Sequence, residues 1–171
     1  EKGKVNHHSI QELHTNIVME YMPSTLLGLF RQHRKDKTIM TELDRQIYCF
    51  HLFKGFSYLH VTSLVSVEFE YMHRDLKPAN VLVDPERRLL KVCDLGSAKE
   101  MQPNQTNIFY ICSRYYRAPE LLLGYDNYNT EIDLWSIGCI LVEFLMYEPV
   151  FPGESSLEQM LEIIKLLGTP T

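Results

Sequence analysis

The sequence lacks a basic excess: 17 lysines and arginines stand against 22 aspartates and glutamates, a net charge of −5 with histidine neutral. That deficit argues against a general nucleic-acid binder, which carries a positive footprint. A long apolar run is also missing. The longest, 137–146, is interrupted by Glu143 and is too short to span a bilayer. The first ten residues are mostly polar, so no signal peptide is read there. Cys49, Cys93, Cys112 and Cys139 are too unevenly spaced for a disulfide framework or a zinc site, and free thiols are expected. The eight glycines are scattered and nowhere form G-x-G-x-x-G, so these residues contain no glycine-rich cradle for phosphates. Glu1 stands where an initiator methionine would, and the chain is expected to be processed or a fragment.

What is present is ordinary for a globular chain: 45% hydrophobic and 23% charged residues. A domain of 171 residues buries roughly 70% of its unfolded surface, enough for a core without staples. Residues 1–16 read as a polar surface turn, and His7, His8 and His14 match no ligand spacing. Residues 17–21 read as a short strand closed by Pro23. Residues 24–40 predict a short amphipathic helix followed by a solvated basic loop over 31–37. Thr41 with Asp44 marks a helix start. Leu43, Ile47, Phe50, Phe53, Phe56 and Leu59 then recur at three- and four-residue steps, predicting a core-facing helix that ends near His60.

Residues 61–71 are β-branched and would pass for a strand. Val81-Leu82-Val83 and the run 89–93 flank Asp84-Pro85-Glu86-Arg87, the chemistry of a tight hairpin. Residues 96–119 have no sustained period and read as a long loop, which in a compact domain is usually functional. Within it Asn104-Gln105-Thr106 has the pattern of a glycosylation sequon, uninformative without secretion. Thr130 with Asp133 predicts a capped helix to about Tyr147 that is apolar on nearly every face, the mark of a central core helix. Ser155 with Glu158 opens a last amphipathic helix, stopped by Gly168 and Pro170.

Two acidic residues stand in unusual company. His73-Arg74-Asp75-Leu76-Lys77-Pro78-Ala79-Asn80 precedes the hairpin and Asp94-Leu95-Gly96 follows it. The hairpin brings Asn80 and Asp94 together, where both can offer oxygen to a hard cation such as Mg²⁺. Asp75 can face the same spot and accept a proton from an attacking hydroxyl. Lys77 can set an ammonium against a phosphate. Gly96 is expected to free the backbone for a sharp turn. Taken alone, Asp-x-Gly is ordinarily a turn and His-Arg-Asp a surface cluster. In this order, followed by Ala118-Pro119-Glu120, they form the set H-R-D-L-x-x-x-N, D-x-G and A-P-E.

On these motifs the chain resembles eukaryotic protein kinases. On Cys93-Asp94-Leu95-Gly96-Ser97-Ala98-Lys99, on Tyr110-Ile111-Cys112-Ser113-Arg114-Tyr115-Tyr116-Arg117-Ala118-Pro119-Glu120 and on Phe151-Pro152-Gly153 it closely resembles the glycogen synthase kinase 3 (shaggy-like) branch. The resemblance implies an α+β protein kinase fold, mainly the helical large lobe. Residues 1–22 would be the remnant of the small-lobe sheet and hinge, and 23–171 a partial large lobe. It implies ATP and Mg²⁺ as cofactors, and phosphoryl transfer to serine or threonine of protein substrates, including primed phosphoproteins. Asp75 would be the catalytic base and Lys77 the phosphate contact, with Asn80 and Asp94 the Mg²⁺ ligands. Met19, Glu20, Tyr21 and Met22 would form the adenine pocket and hinge. Tyr110 would be the activation-loop phosphosite, pairing with Arg114 and Arg117. Arg74 and Lys99 would hold a primed substrate's phosphate. Asp133 would hold the catalytic loop's backbone. A cytoplasmic location, with the nucleus as a second compartment, is expected, without nucleic-acid or membrane partners. The sequence carries no signal of oligomeric state.

The chain departs from the family in four ways. Leu95 replaces the usual phenylalanine and is expected to serve as a similar apolar plug. Neither the glycine loop nor the small-lobe lysine is found, so the 171 residues alone are expected to transfer little or no phosphate. The large lobe's closing helices are not found either, and Glu120 is expected to lack the arginine it usually pairs with. Residues 61–71 are an insertion expected to push on the catalytic loop. Of a surface bulge and an unspliced intron, the second is favoured. The alternative to an active kinase is an inactive truncated kinase or pseudokinase acting as a binding module. A third reading is a translated fragment that does not fold.

Overall fold

The computed structural model describes residues 16–60, 62–64, 67–101 and 105–169. His7, His8 and His14 and the sequon's Asn104 lie outside them. Residues 16–22 are not a strand: among the described residues no second strand lies beside them to form a ladder. The strand forms two residues later. β1 (Ser24–Thr25) pairs antiparallel with β5 (Val81–Asp84), and β5 with β6 (Leu89–Val92), giving the order β1-β5-β6. The expected hairpin is this β5–β6 pair, its turn closed where the Arg87 N–H donates to Asp84 Oδ1 at 3.1 Å.

Helix α1 (Leu26–Asp36) begins where the Gly28 N–H donates to Thr25 Oγ1 at 3.1 Å. Its basic residues His33, Arg34 and Lys35 belong to the last turn rather than to a loop, where cations complement the exposed carbonyls. Helix α2 (Glu42–His60) starts at the expected Thr41, whose hydroxyl accepts from the Asp44 N–H at 3.1 Å. The expected core face holds only in part, with Phe56 buried and Leu59 packed against the core. Tyr48, Leu52 and Phe56 are buried, whereas Leu43, Phe50 and Phe53 are exposed, Phe50 by 62%. This helix is apolar on more than one side, and packing against β6 selects one of them.

The insertion forms a separate antiparallel hairpin of β2 (Thr62–Leu64) and β3 (Val67–Phe69), with Thr62 opposite Phe69. β4 (Tyr71–Met72) then pairs with β7 (Lys99–Glu100), joining the chain before Asp75 to the loop after Asp94. Between Glu100 and α4 lie a 3-10 turn (Arg114–Tyr116) and the short α3 (Pro119–Leu122).

Helix α4 (Glu131–Met146) carries the core. Ile137, Ile140 and Phe144 meet Leu26, Phe30, Leu52 and Val83, while Ile132 joins Met72, Ala118 and Leu121 in a second cluster. It is less enclosed than expected, since Leu134, Leu145 and Met146 are half exposed or more. Its cap also differs: the Asn129 side chain, not Thr130, accepts from the Glu131 N–H at 2.8 Å. Asp133 is thereby free for another task. Helix α5 (Ser156–Leu167) starts as expected, with the Glu158 N–H donating to Ser155 Oγ at 3.2 Å.

Candidate active site

One fully buried carboxylate organises the loop before the hairpin. Asp133 Oδ2 accepts from the His73 N–H at 2.7 Å and Oδ1 from the Arg74 N–H at 2.9 Å. His60 Nε2 lies 3.0 Å from Oδ2 and acts as the donor, because a carboxylate only accepts. A charge with no exposure needs such partners. His60 and His73 are the residues on either side of the insertion. Their common anchor ties the chain to α4 before and after the hairpin. The His73 ring is fixed as well: its Nδ1 accepts from the Asp75 N–H at 3.3 Å, so Nε2 carries the proton donated to the Cys93 carbonyl at 3.0 Å.

Asp75 follows directly. Its Oδ2 accepts from Lys77 Nζ at 2.8 Å and from Asn80 Nδ2 at 3.2 Å. Its Oδ1 accepts from both the N–H and the hydroxyl of Ser113, at 3.0 and 2.8 Å. Lys77 Nζ also donates to Ser113 Oγ at 2.8 Å, closing a triangle of Asp75, Lys77 and Ser113. Burial alone would push the Asp75 carboxyl up. The Lys77 ammonium and the two Ser113 donors outweigh it and hold the carboxyl below its ordinary value. The group is therefore ionised across the neutral range, as a proton acceptor must be. Ser113 belongs to the long loop and was not among the expected site residues. No spacing rule relates it to Asp75, 38 positions earlier.

Asn80 ends a 3-10 turn (Pro78–Asn80), and its carbonyl accepts from the Cys93 N–H at 3.0 Å. This bond sets the Asn80 backbone against Cys93, the residue before Asp94. The Asn80 amide N–H₂ is committed to the Asp75 carbonyl and carboxylate, which leaves its amide oxygen as an acceptor. Asp94 is exposed, and its Oδ1 accepts from the Gly96 N–H at 3.3 Å, which leaves Oδ2. One carboxylate oxygen and one amide oxygen fit Mg²⁺, which takes few protein ligands and keeps waters and phosphates. Among the described residues no group of three His, Cys, Asp or Glu could hold a metal by itself. The sharp turn is made by Asp94, with φ of 63°, rather than by Gly96. A Cβ at position 96 would lie 3.2 Å from Asp94 Oδ1, so Gly96 supplies room. Arg74 and Cys112 also adopt left-handed φ, at 66° and 62°, so strained backbone gathers around Asp75.

A family model for the protein kinase domain matches residues 5–169. The chain belongs to that family. It is 49% identical over 163 residues to the serine/threonine-protein kinase RIM11/MSD1 of Saccharomyces cerevisiae, covering 95% of this chain and 42% of that protein. It is 47% identical over 160 residues to glycogen synthase kinase 1 of Pyricularia oryzae, covering 94% of this chain and 39% of that protein. The kinase chain thus spans about two fifths of the length of these relatives. Its α+β fold is that of a protein kinase domain in part, similar to kinases of the glycogen synthase kinase type.

The remaining residues expected in a kinase site are placed as follows. Met19 and Tyr21 are exposed, and the Glu20 carboxylate pairs with Lys91 and Arg87 of the β5–β6 hairpin. No backbone hydrogen bond engages 19–22 among the described residues. Arg74 Nε donates to the Ser97 carbonyl at 2.6 Å, and Lys99 Nζ to Asn107 Oδ1 at 2.5 Å. Tyr110 is exposed, with the Arg117 guanidinium 4.7 Å from its ring centre. Arg117 is buried and donates to the carbonyls of Ile111 and Cys112, while Arg114 donates to the Glu154 carbonyl. Leu95 is not a plug: it is 58% exposed, because no described element covers it. Glu120 is half-buried with no ion pair among the described residues.

Proposed function

We propose that this chain carries the catalytic loop of a protein serine/threonine kinase that phosphorylates protein substrates. The observation that carries the reading is the ionised Asp75 carboxylate, gripped by Lys77 and Ser113 and bonded by the Asn80 amide, whose carbonyl in turn holds Cys93, the residue before Asp94. ATP, when bound with Mg²⁺, supplies the transferable phosphoryl group, with charge spread over its oxygens. The chain's residues supply position and charge. Asn80 and Asp94 would hold the cation, and Lys77 would set a positive point against the phosphate. Asp75 Oδ1 already accepts a hydrogen bond from the Ser113 hydroxyl, the contact an incoming serine or threonine hydroxyl would make. Residues 19–22 would receive the adenine through their backbone groups.

The finer parts of the proposal rest on side chains close to this centre. Lys99 stands opposite Met72 in the β4–β7 pair, two residues before Arg74, and an arginine with a lysine suits the phosphate of a primed substrate. Tyr110 is exposed enough to be modified, and its ring already lies against Arg117. The binding-module alternative is not favoured, since docking has no need of an ionised Asp75 held by four donors.

The test uses the full-length protein that contains this chain. Phosphate should pass from ATP to serine or threonine of a protein substrate, read by phosphoamino-acid analysis. Asp75→Asn and Asp94→Asn should each lower the rate by at least about a hundredfold. Transfer that survives either substitution overturns the assignment.

A further inference from the structure

An exposed apolar patch lies in the long loop near the reaction centre and takes no part in the steps described above. Ile108, Phe109, Leu123 and Tyr125 are large side chains, and between 45% and 77% of each is exposed. They belong to two segments that the fold joins. The Asn107 N–H donates to the Asp126 carbonyl at 2.8 Å, and the Tyr128 phenol to the Ile108 carbonyl at 2.7 Å. A Cβ at position 124 would lie 4.0 Å from Phe109 Cε2, so the Phe109 ring rests against the glycine between Leu123 and Tyr125.

The backbone under the patch is firm. The N–H groups of Leu123, Gly124 and Tyr125 donate to the carbonyls of Pro119, Leu121 and Glu120 at the end of α3. Gly124 turns the chain there with φ of 80°. Large apolar side chains gathered in water on a fixed backbone mark a contact with another molecule.

The edge of the patch shows which molecule. Lys99 Nζ is bonded to Asn107, the residue before Ile108. Arg74 Nη1 lies 3.5 Å from the Tyr128 phenol, and that phenol holds Ile108. The two cations suited to a substrate phosphate therefore meet the patch within one residue. On its other side in sequence, Ser113 touches Asp75. A lone phosphate would use the cations and leave the apolar side chains in water. A polypeptide advances about 3.5 Å per residue, so the neighbours of a phosphorylated residue held by Arg74 and Lys99 come within reach of Ile108 and Phe109.

We propose that Ile108, Phe109, Leu123 and Tyr125 form a docking platform for protein substrates, selecting a large apolar or aromatic residue beside the phosphorylated residue that Arg74 and Lys99 hold. The proposal rests on the kinase reading above and adds a substrate class to it: segments in which a phosphorylated residue and a large apolar residue are neighbours. Charge fixes the phosphate and burial of apolar area fixes its neighbour, so the two selections act together.

The experiment uses the full-length protein and synthetic peptides. Each peptide carries one acceptor serine and one phosphoserine at a varied separation from it, and the residue on either side of the phosphoserine is phenylalanine or serine. Wild type should prefer a phenylalanine-flanked peptide by about tenfold in kcat/KM, the effect of one partly buried ring. In the double variant Phe109→Ser with Tyr125→Ser, both changes on exposed side chains, the preference should fall to within about twofold. Fluorescence anisotropy supplies a readout independent of transfer: with the acceptor serine replaced by alanine, the same tenfold preference should appear in Kd and vanish in the double variant. Equal kcat/KM for the two peptide types overturns the proposal. So does a preference that survives the double variant. Self-association of the wild type through the patch, or its binding to phosphatidylserine vesicles, in place of a peptide preference assigns the patch to another partner and equally overturns it. A wild type that transfers no phosphate to any peptide overturns the kinase reading instead, and the anisotropy still decides whether the platform exists.

Discussion

Lys77 Nζ and Ser113 Oγ stand 2.8 Å from each other, and each lies 2.8 Å from a different oxygen of the Asp75 carboxylate. The hydroxyl accepts from the ammonium and donates to the acid, so the two loops meet in one closed polar triangle. Its first consequence is a pH dependence. The Asp75 carboxyl is held below its ordinary value, so its contribution to stability is complete above the unfolded value of about 3.9 and is lost as pH falls through the lower folded value. Lys77→Met removes the ammonium and much of that contribution. The difference in Tm between wild type and Lys77→Met should be largest near neutrality and shrink below about pH 4. A difference that grows on acidification refutes this.

Asp133→Asn should be among the most damaging isosteric changes in the chain. The buried carboxylate accepts from two backbone N–H groups and from His60, and an amide offers one oxygen where two were used. A loss of about 2–4 kcal/mol is expected from the orphaned donors. Urea unfolding checks it through a lower midpoint at unchanged slope.

The glycines at 138 and 153 should respond in opposite directions to alanine. A Cβ at position 153 would lie 2.3 Å from the Gln159 nitrogen and 2.5 Å from its Cα, backbone atoms that cannot swing aside. Gly153→Ala should cost about 1–3 kcal/mol or more. At position 138, in the middle of α4, a Cβ meets nothing within 4 Å. Gly138→Ala should stabilise by up to about 1 kcal/mol through helix propensity. Paired thermal melts separate the two.

The insertion should be removable. Thr62 and Phe69 are cross-strand partners, so the ends of the hairpin are about 5 Å apart and one or two residues can bridge them. Both flanks remain anchored on Asp133 through His60 and His73. A full-length protein lacking 62–69 should keep kcat within about threefold of wild type. A collapse in rate would show that the hairpin itself supports the loop.

Helix starts were legible because caps are local: Thr41, Ser155 and their partners lie three residues apart in sequence and in space. The β5–β6 hairpin was legible for the same reason, since turn chemistry at Asp84 needs no distant partner. The buried face of α2 was not, because the helix offers Phe50 and Phe53 on one side and Tyr48 and Phe56 on the other with similar apolar weight. Nor was the absence of a strand over 17–21, whose β-propensity meets no neighbour among the described residues. Leu95 kept its apolar character and lost its role, because a plug needs something to close against.

By itself the sequence determined which groups the proposed chemistry would use. Asp75, Lys77, Asn80 and Asp94 stand at spacings that a turn and a hairpin convert into neighbours, and short spacings are settled by local backbone geometry. Only the tertiary structure decided what holds those groups still. Ser113 reaches Asp75 across 38 positions, and Asp133 reaches His73 across 60. Contacts of that range carry no periodicity or spacing to read. They depend on where α4 lies once its apolar faces are buried, and that is settled by the packing of the whole core.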